Sequence, residues 1–159
     1  MPHVGISGHR GLPSQTQKLV DAALREALVP HAGSELVGVS CLAGGPDQLF
    51  ARAVLDFGGV LEVVVPAERY RDGLEPEEQD GYDELIATAR RIERLPFVES
   101  TPEAHLAAGQ TIVDRCDLLF AVWDGQPSRG LGGTADTVAY ARDRGVPVTV
   151  VWPPGATRE

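Results

Sequence analysis

"DLLFAVWDGQPSRGLGGTADTVAYARDRGVPV", residues 117–148, passes through four kinds of segment in a row. "DLLFAVWD" is a continuous apolar run between two aspartates, and a run without polar alternation is buried on both faces, as a central strand of a parallel sheet is. Gly130, Gly132 and Gly133 then interrupt the chain. Glycine costs roughly 0.5–1 kcal/mol in a regular element relative to alanine, so a cluster of it marks a tight turn, a hinge, or bare backbone that a ligand approaches. "ADTVAYARDR" reads as a helix, Gly145 as its C-terminal cap, and "VPVTVVW" as a last strand. Strand, glycine loop, helix and strand in that order is a parallel unit with a crossover helix.

The same alternation continues on the N-terminal side. "HVGIS" (residues 3–7) is a short buried strand that stops at Gly8. Ser14 to Gln17 has the S-x-x-Q form of a capping box, ahead of one apolar helix face made by Leu19, Val20, Ala23, Leu24, Ala27 and Leu28. "ELVGVSCLA" is a second strand closed by Gly44-Gly45-Pro46, "DQLFARAVLDF" a helix closed by Gly58-Gly59, and "VLEVVVP" a third strand. From Ala67 to Gly81 the composition suggests an exposed loop or lid, followed by a helix from about Tyr82 to Arg94. Arg69, Tyr70 and Arg71 begin that loop and either close over a ligand or stay solvated. "PFVES" reads as a short fourth strand. Thr101-Pro102-Glu103 starts a helix running to about Arg115, with proline at its first position and an acid in its first turn.

The pattern predicts an α/β protein, a single three-layer Rossmann-like domain with a mostly parallel sheet of about five to six strands. The domain is expected over residues 1–152, with 153–159 as a tail. In such sheets ligands bind outside the carboxyl ends of the strands. Glycine-rich turns follow the first, second and fifth strands, so all three belong on that edge.

A chain of 159 residues is most simply one domain. The formal net charge of −9 argues for no nucleic-acid partner, because phosphate neutralisation by Lys and Arg supplies most of that affinity. A small anionic ligand needs only a few N–H groups and an arginine. Cys41 and Cys116 lack C-x-x-C spacing and suit a reducing cytoplasm. "MPHVGISGHR" lacks the form of a secretory leader, and no apolar run approaches the roughly 20 residues of a membrane span. A cytoplasmic protein without a membrane partner is therefore expected. His3, His9, His31 and His105 are scattered without ligand spacing, so neither a metal nor another cofactor is expected.

Gly130-Leu131-Gly132-Gly133-Thr134 is the strongest local signal, since successive amides at a helix start form an anion site and Thr134 adds a hydroxyl. The loop matches neither G-x-x-x-x-G-K-[ST] nor G-x-G-x-x-G after the first strand, which argues against an ATPase or a dinucleotide dehydrogenase. Gly8, His9 and Arg10 follow the first strand directly. There Arg10 either grips a phosphate or carboxylate or sits in solvent on an ordinary turn. Gly44, Gly45 and Asp47 form a similar corner, with Asp47 either a first-turn acid of the helix or an acceptor for a ligand hydroxyl such as that of a ribose. Asp124 and Asp136 are candidate catalytic carboxylates on the same edge, although both positions also suit turn and helix-start roles.

Taken together, "VGISGHR", "CLAGGPDQLFARAVL", "VVVPAERY" and the stretch 117–148 resemble the SLOG superfamily, Rossmann-like domains that include lysine-decarboxylase-like phosphoribohydrolases, DNA-processing proteins and sensors of nucleotide-derived ligands. The resemblance implies a nucleotide or nucleotide-sugar pocket lined by Gly8, Arg10, Gly44, Asp47, Gly132, Gly133 and Thr134, and it allows a homo-oligomer. The hydrolytic members carry P-G-G-x-G-T-x-x-E; here Thr137 falls on the glutamate, as it does against the similar run of nucleoside deoxyribosyltransferases. Asp136 lies about 100° round the helix from that position. The expected function is accordingly a sensor or carrier that binds a small nucleotide-derived ligand. The alternative is an N-glycoside hydrolase or transferase on nucleoside 5′-monophosphates using Asp124 or Asp136, and relatedness also raises a DNA-processing role.

Overall fold

Period-two alternation along the strands divides the core into two layers. Leu61, Val63 and Val65 enter one apolar cluster, and Val64, on the opposite face, enters the other. The computed structural model describes residues 2–128 and 130–158. Its strands are β1 (His3–Gly8), β2 (Val37–Ser40), β3 (Val60–Val65), β4 (Arg91–Arg94), β5 (Leu118–Val122) and β6 (Val148–Val150). All neighbours pair in parallel in the order β4-β3-β2-β1-β5-β6. The order reverses between β1 and β5, whose register sets Gly8 opposite Val122.

Five α-helices cover the sheet: α1 (Ser14–Leu28), α2 (Pro46–Asp56), α3 (Pro76–Ile86), α4 (Pro102–Arg115) and α5 (Thr134–Asp143). Val20, Leu24 and Leu28 recur every four residues along α1 and are fully buried with Phe50 and Val54 of α2 and Tyr82 and Leu85 of α3. Phe50 meets Phe120 of β5 edge to face, with ring centroids 6.0 Å apart. On the other face Ala108, Ile112 and Val113 of α4 and Ala141 of α5 pack on Val39, Val64 and Leu119. No helix among the described residues is long and apolar enough to cross a membrane.

Three local expectations are corrected. Ser14 is already the first helical residue of α1, behind Pro13, and makes no cap, while the Gln17 side chain donates to the Leu12 carbonyl at 3.0 Å. The charged stretch after Tyr70 is not all loop, for α3 begins at Pro76 and ends at Ile86. Proline at the first position, acids in the first turn and a Glu75 N–H bound to Glu78 Oε1 at 3.0 Å mark that start. The fourth strand is Arg91–Arg94 rather than "PFVES", paired with β3. As an edge strand with Arg91, Ile92 and Arg94 exposed, it carries no hydrophobic signature.

Beyond β6 the chain turns back over the sheet. The Val151 N–H donates to the Ala121 carbonyl at 2.7 Å. The Thr157 N–H then donates at 3.0 Å to the hydroxyl of Thr16, which is buried in α1.

Candidate functional site

A cavity of about 360 Å³ opens at the carboxyl ends of the strands where the order reverses between β1 and β5. Its floor is apolar, from Ile6, Cys41, Ala108 and Ile112, and its polar groups come from loops far apart in sequence. The loop leaving β1 supplies Gly8, His9 and Arg10. A Cβ on Gly8 would stand 2.7 Å from that of Pro46, so only glycine lets β1 end against the start of α2. The His9 ring is buried, with Nε2 3.2 Å from Asp124 Oδ1 and the Trp152 ring edge-on at 5.9 Å. Arg10 stands exposed at the rim.

The loop after β2 holds Leu42 in the left-handed region at φ 57°, tied by a bond from its N–H to Ser40 Oγ at 3.0 Å. It leads into Asp47, in the first turn of α2 and only 8 % exposed. Asp47 Oδ2 accepts the Ala43 N–H at 3.2 Å, and Oδ1 makes no hydrogen bond among the described residues. Burial pushes the Asp47 carboxyl up to about 7, against the opposing pull of the Ala43 N–H and the charge of Arg10. It is the one carboxylate among the described lining residues.

The loop after β5 is braced from inside. The Gly132 N–H donates to Asp136 Oδ2 at 2.9 Å, and the Asp136 N–H donates to Ser128 Oγ at 3.2 Å. Gly132 has φ 85°, and a Cβ there would lie 2.8 Å from the Pro102 carbonyl oxygen. The N–H groups of Gly133 and Thr134, at the start of α5, have no partner among the described residues. They line the cavity beside Thr134 Oγ1, which Ser7 Oγ approaches at 3.4 Å. Two orphan amides at a helix start, with the positive end of its dipole, make an anion subsite.

The structure thus brings Gly8, His9, Arg10, Asp47, Gly130, Gly132, Gly133 and Thr134 around one cavity. It sets four other candidates outside the lining. Gly44 packs against the Glu78 carboxylate and Gly45, at φ 80°, precedes α2. Asp136 is the brace just described. Asp124 Oδ1 accepts the Gln126 N–H at 3.0 Å, while Oδ2 lies 3.6 Å from Arg158. Burial works to raise the Asp124 pKa, but Gln126, His9 and Arg158 outweigh it and the group titrates below its ordinary 3.8.

Lining residues beyond those candidates include Tyr70, read from the sequence only as part of a loop that closes over a ligand or stays solvated, and His105, Thr137 and Arg158. Tyr70, buried after β3, meets the half-buried His105 of α4 edge-on at 5.9 Å. Burial, and then the charge of Arg10, lower the His105 pKa below its ordinary 6.5. Thr137, at the position of the hydrolases' glutamate, is buried with its hydroxyl 3.4 Å from the Gly133 carbonyl. The position of Tyr70 after a strand, on the ligand edge, and that of Thr137 on the hydrolases' glutamate were signals in the sequence; His105 and Arg158 offered none. Among the described residues no group of three or more His, Cys, Asp or Glu side chains converges to hold a metal ion.

Comparison with solved structures places this architecture. DNA processing protein A from Streptococcus pneumoniae superposes with a TM-score of 0.69 at 23% identity, over 94% of this chain and 50% of that one. DNA processing protein A from Helicobacter pylori, described for its single-stranded DNA binding mode, gives a TM-score of 0.66 at 17% identity, over 98% of this chain and 68% of that one. The molybdenum cofactor binding protein from Rippkaea orientalis gives 0.61 at 14% identity, over 94% and 75%. The chain shares the Rossmann-like fold of these proteins. It spans about half the length of the Streptococcus protein. No family model and no curated protein sequence matches it. The expectation of no nucleic-acid partner is overturned here, since the structural neighbours include DNA processing proteins, one of them a binder of single-stranded DNA. The physical reason is that net charge sums the whole surface, whereas a nucleic acid meets only local groups, and an acidic protein can still place basic side chains such as Arg10 and Arg158 together at one cavity.

Proposed function

We propose that the protein binds a nucleotide-derived ligand in this cavity, as a sensor or carrier. The observation that carries the reading is Asp47: nine-tenths buried, with one oxygen that has no partner among the described residues, in a cavity that also presents the amides of Gly133 and Thr134, likewise without partners among the described residues. An acceptor for hydroxyl or N–H groups and a donor set for a phosphate, above an apolar floor, match a phosphorylated sugar with an attached base. In this reading the phosphate lies on the Gly133 and Thr134 N–H groups and Arg10, and the sugar hydroxyls reach Asp47. The base lies on Ile6, Ala108 and Ile112, with Tyr70 at its edge. The position of Thr137 and the placing of Asp124 and Asp136 outside the lining favour binding over cleavage of an N-glycosidic bond.

The test is thermal unfolding against nucleoside mono-, di- and triphosphates, sugar nucleotides and NAD-type compounds. A ligand at about a hundred times its Kd adds roughly 2.7 kcal/mol. A selective rise in Tm that disappears in Asp47→Ala and Gly133→Val is the expected result, and no rise with any compound refutes the reading. The comparison with DNA processing proteins favours a second reading, in which the cavity takes one nucleotide of a single strand. Salt-sensitive anisotropy of a labelled oligothymidylate, lost in Arg10→Ala, supports it, and no binding at low salt ends it.

A further inference from the structure

The C-terminal segment brings a second guanidinium to the cavity. From β6 the chain passes Trp152, edge-on to His9 at 5.9 Å, and is pinned where Thr157 meets Thr16. Both hydroxyls take part as well, 3.3 Å apart, and Thr16 is 1 % exposed, so the strap is anchored in the core rather than laid on the surface. The next residue, Arg158, lines the cavity with its side chain 17 % exposed.

Among the described residues, the Arg158 side chain makes no hydrogen bond. A guanidinium offers five N–H donors, and leaving them unsatisfied in a half-closed site is unfavourable. Its recorded partner is Asp124, at 3.6 Å, beyond hydrogen-bond length. Asp124 is also engaged elsewhere, because its other oxygen serves Gln126 and His9. The geometry therefore holds a cation beside the cavity with its donors available.

The two arginines also serve different flanks. The charge of Arg10 reaches Asp47 and His105, whereas that of Arg158 reaches Asp124. The loop after β5 presents to the same cavity the amides of Gly133 and Thr134, which have no partner among the described residues. All of these donors line one cavity, and a diphosphate brings two phosphoryl groups to share among them.

We propose that Arg158 is a ligand-binding residue that takes a second phosphoryl group, so that the site prefers a diphosphate ligand to a monophosphate. This rests on the anion subsite of the functional reading above. On binding, Arg158 exchanges its long contact with Asp124 for bidentate hydrogen bonds to phosphoryl oxygens, the pairing that guanidinium geometry favours.

Inorganic pyrophosphate and inorganic phosphate are the probes, titrated calorimetrically into the full chain, with the nucleoside-phosphate panel run in parallel. The wild type is expected to bind pyrophosphate about tenfold or more tightly than phosphate, a preference worth about 1.4 kcal/mol. Arg158→Ala is expected to bring that ratio close to unity with little change for phosphate, and Arg158→Gln, which keeps the stem packed, to do the same if the alanine variant is poorly folded. Asp124→Asn, which frees Arg158 from its carboxylate, is expected to tighten pyrophosphate binding. An unchanged ratio in a folded Arg158 variant, or no preference for pyrophosphate in the wild type, overturns the inference and leaves the functional reading standing if a panel compound binds. A wild type that binds neither anion nor any panel compound overturns both.

Discussion

Replacing Asp47 by asparagine separates the stability of the protein from its proposed use. A carboxyl held at about 7 in the fold, against an ordinary 3.8, keeps a proton that the unfolded chain has already released. At about 1.4 kcal/mol per pH unit, that gap corresponds to a destabilisation of about 4 kcal/mol. The sign follows from proton counting. Well below pH 4 both states hold the proton and there is no penalty; from about 4 to 7 only the folded state holds it, so stability falls as pH rises; above about 7 the penalty is constant. Asparagine is neutral throughout, and its carbonyl oxygen can still accept the Ala43 N–H. Asp47→Asn is therefore expected to match the wild type at about pH 3 and to be more stable at pH 8 by a few kcal/mol, with about 4 kcal/mol as the ceiling. Urea unfolding of both proteins at several pH values between these limits is the assay. Parallel stability profiles for the two proteins would refute the account of Asp47 as a buried, proton-retaining group. The same variant is expected to bind its nucleotide less tightly at pH 8, the trade expected where a polar group is kept for a ligand rather than for the fold.

Gly132→Ala forces a side chain into φ 85° and to 2.8 Å from the Pro102 carbonyl oxygen; a loss of about 1–3 kcal/mol, read as a lower urea midpoint, is expected. Asp136→Ala removes the acceptor of the Gly132 N–H and is expected to destabilise by about 1 kcal/mol and weaken anion binding, whereas Asp136→Asn preserves both; equal behaviour of the two variants would show that the brace is idle. Glu62, buried in β3, pairs with Arg115 of α4 and Arg90. Burial opposes its charge, but Arg90, Arg115 and His3 outweigh that and hold its pKa below 4.5. Its stabilisation is thus present above about pH 4.5 and lost as pH falls further, so Glu62→Gln is expected to lose on the order of 3 kcal/mol at neutral pH. The variant should also unfold with a flatter acid limb, and an unchanged acid midpoint would contradict this.

What the sequence makes legible follows the burial of each element. β1, β3 and β5 are buried on both faces and announce themselves as apolar runs, and the glycine turns after β1 and β5 fall on the ligand edge because parallel strands all end there. β4 is hidden because "RIER" lies on the edge of the sheet, where its pairing is backbone alone. The start of α3 is masked by acids that look like a solvated loop yet are first-turn residues. In the site, Gly133 and Thr134 are readable from local pattern, since a helix start is a local object. His105 and Arg158 are not, because what brings them to the cavity is the packing of α4 on the sheet and the anchoring of Thr157 on Thr16.

β1 lies in the middle of the sheet with β2 on one side and β5 on the other. During synthesis its first flank can pair early, whereas the second waits until β5 has emerged, and contacts of such long sequence separation slow folding. The cavity is completed only with the segment after β6, where Trp152 meets His9 and Arg158 joins the lining. A nascent chain arrested before β5 would carry one exposed apolar flank of β1 and half a binding site, with no competence to hold its ligand.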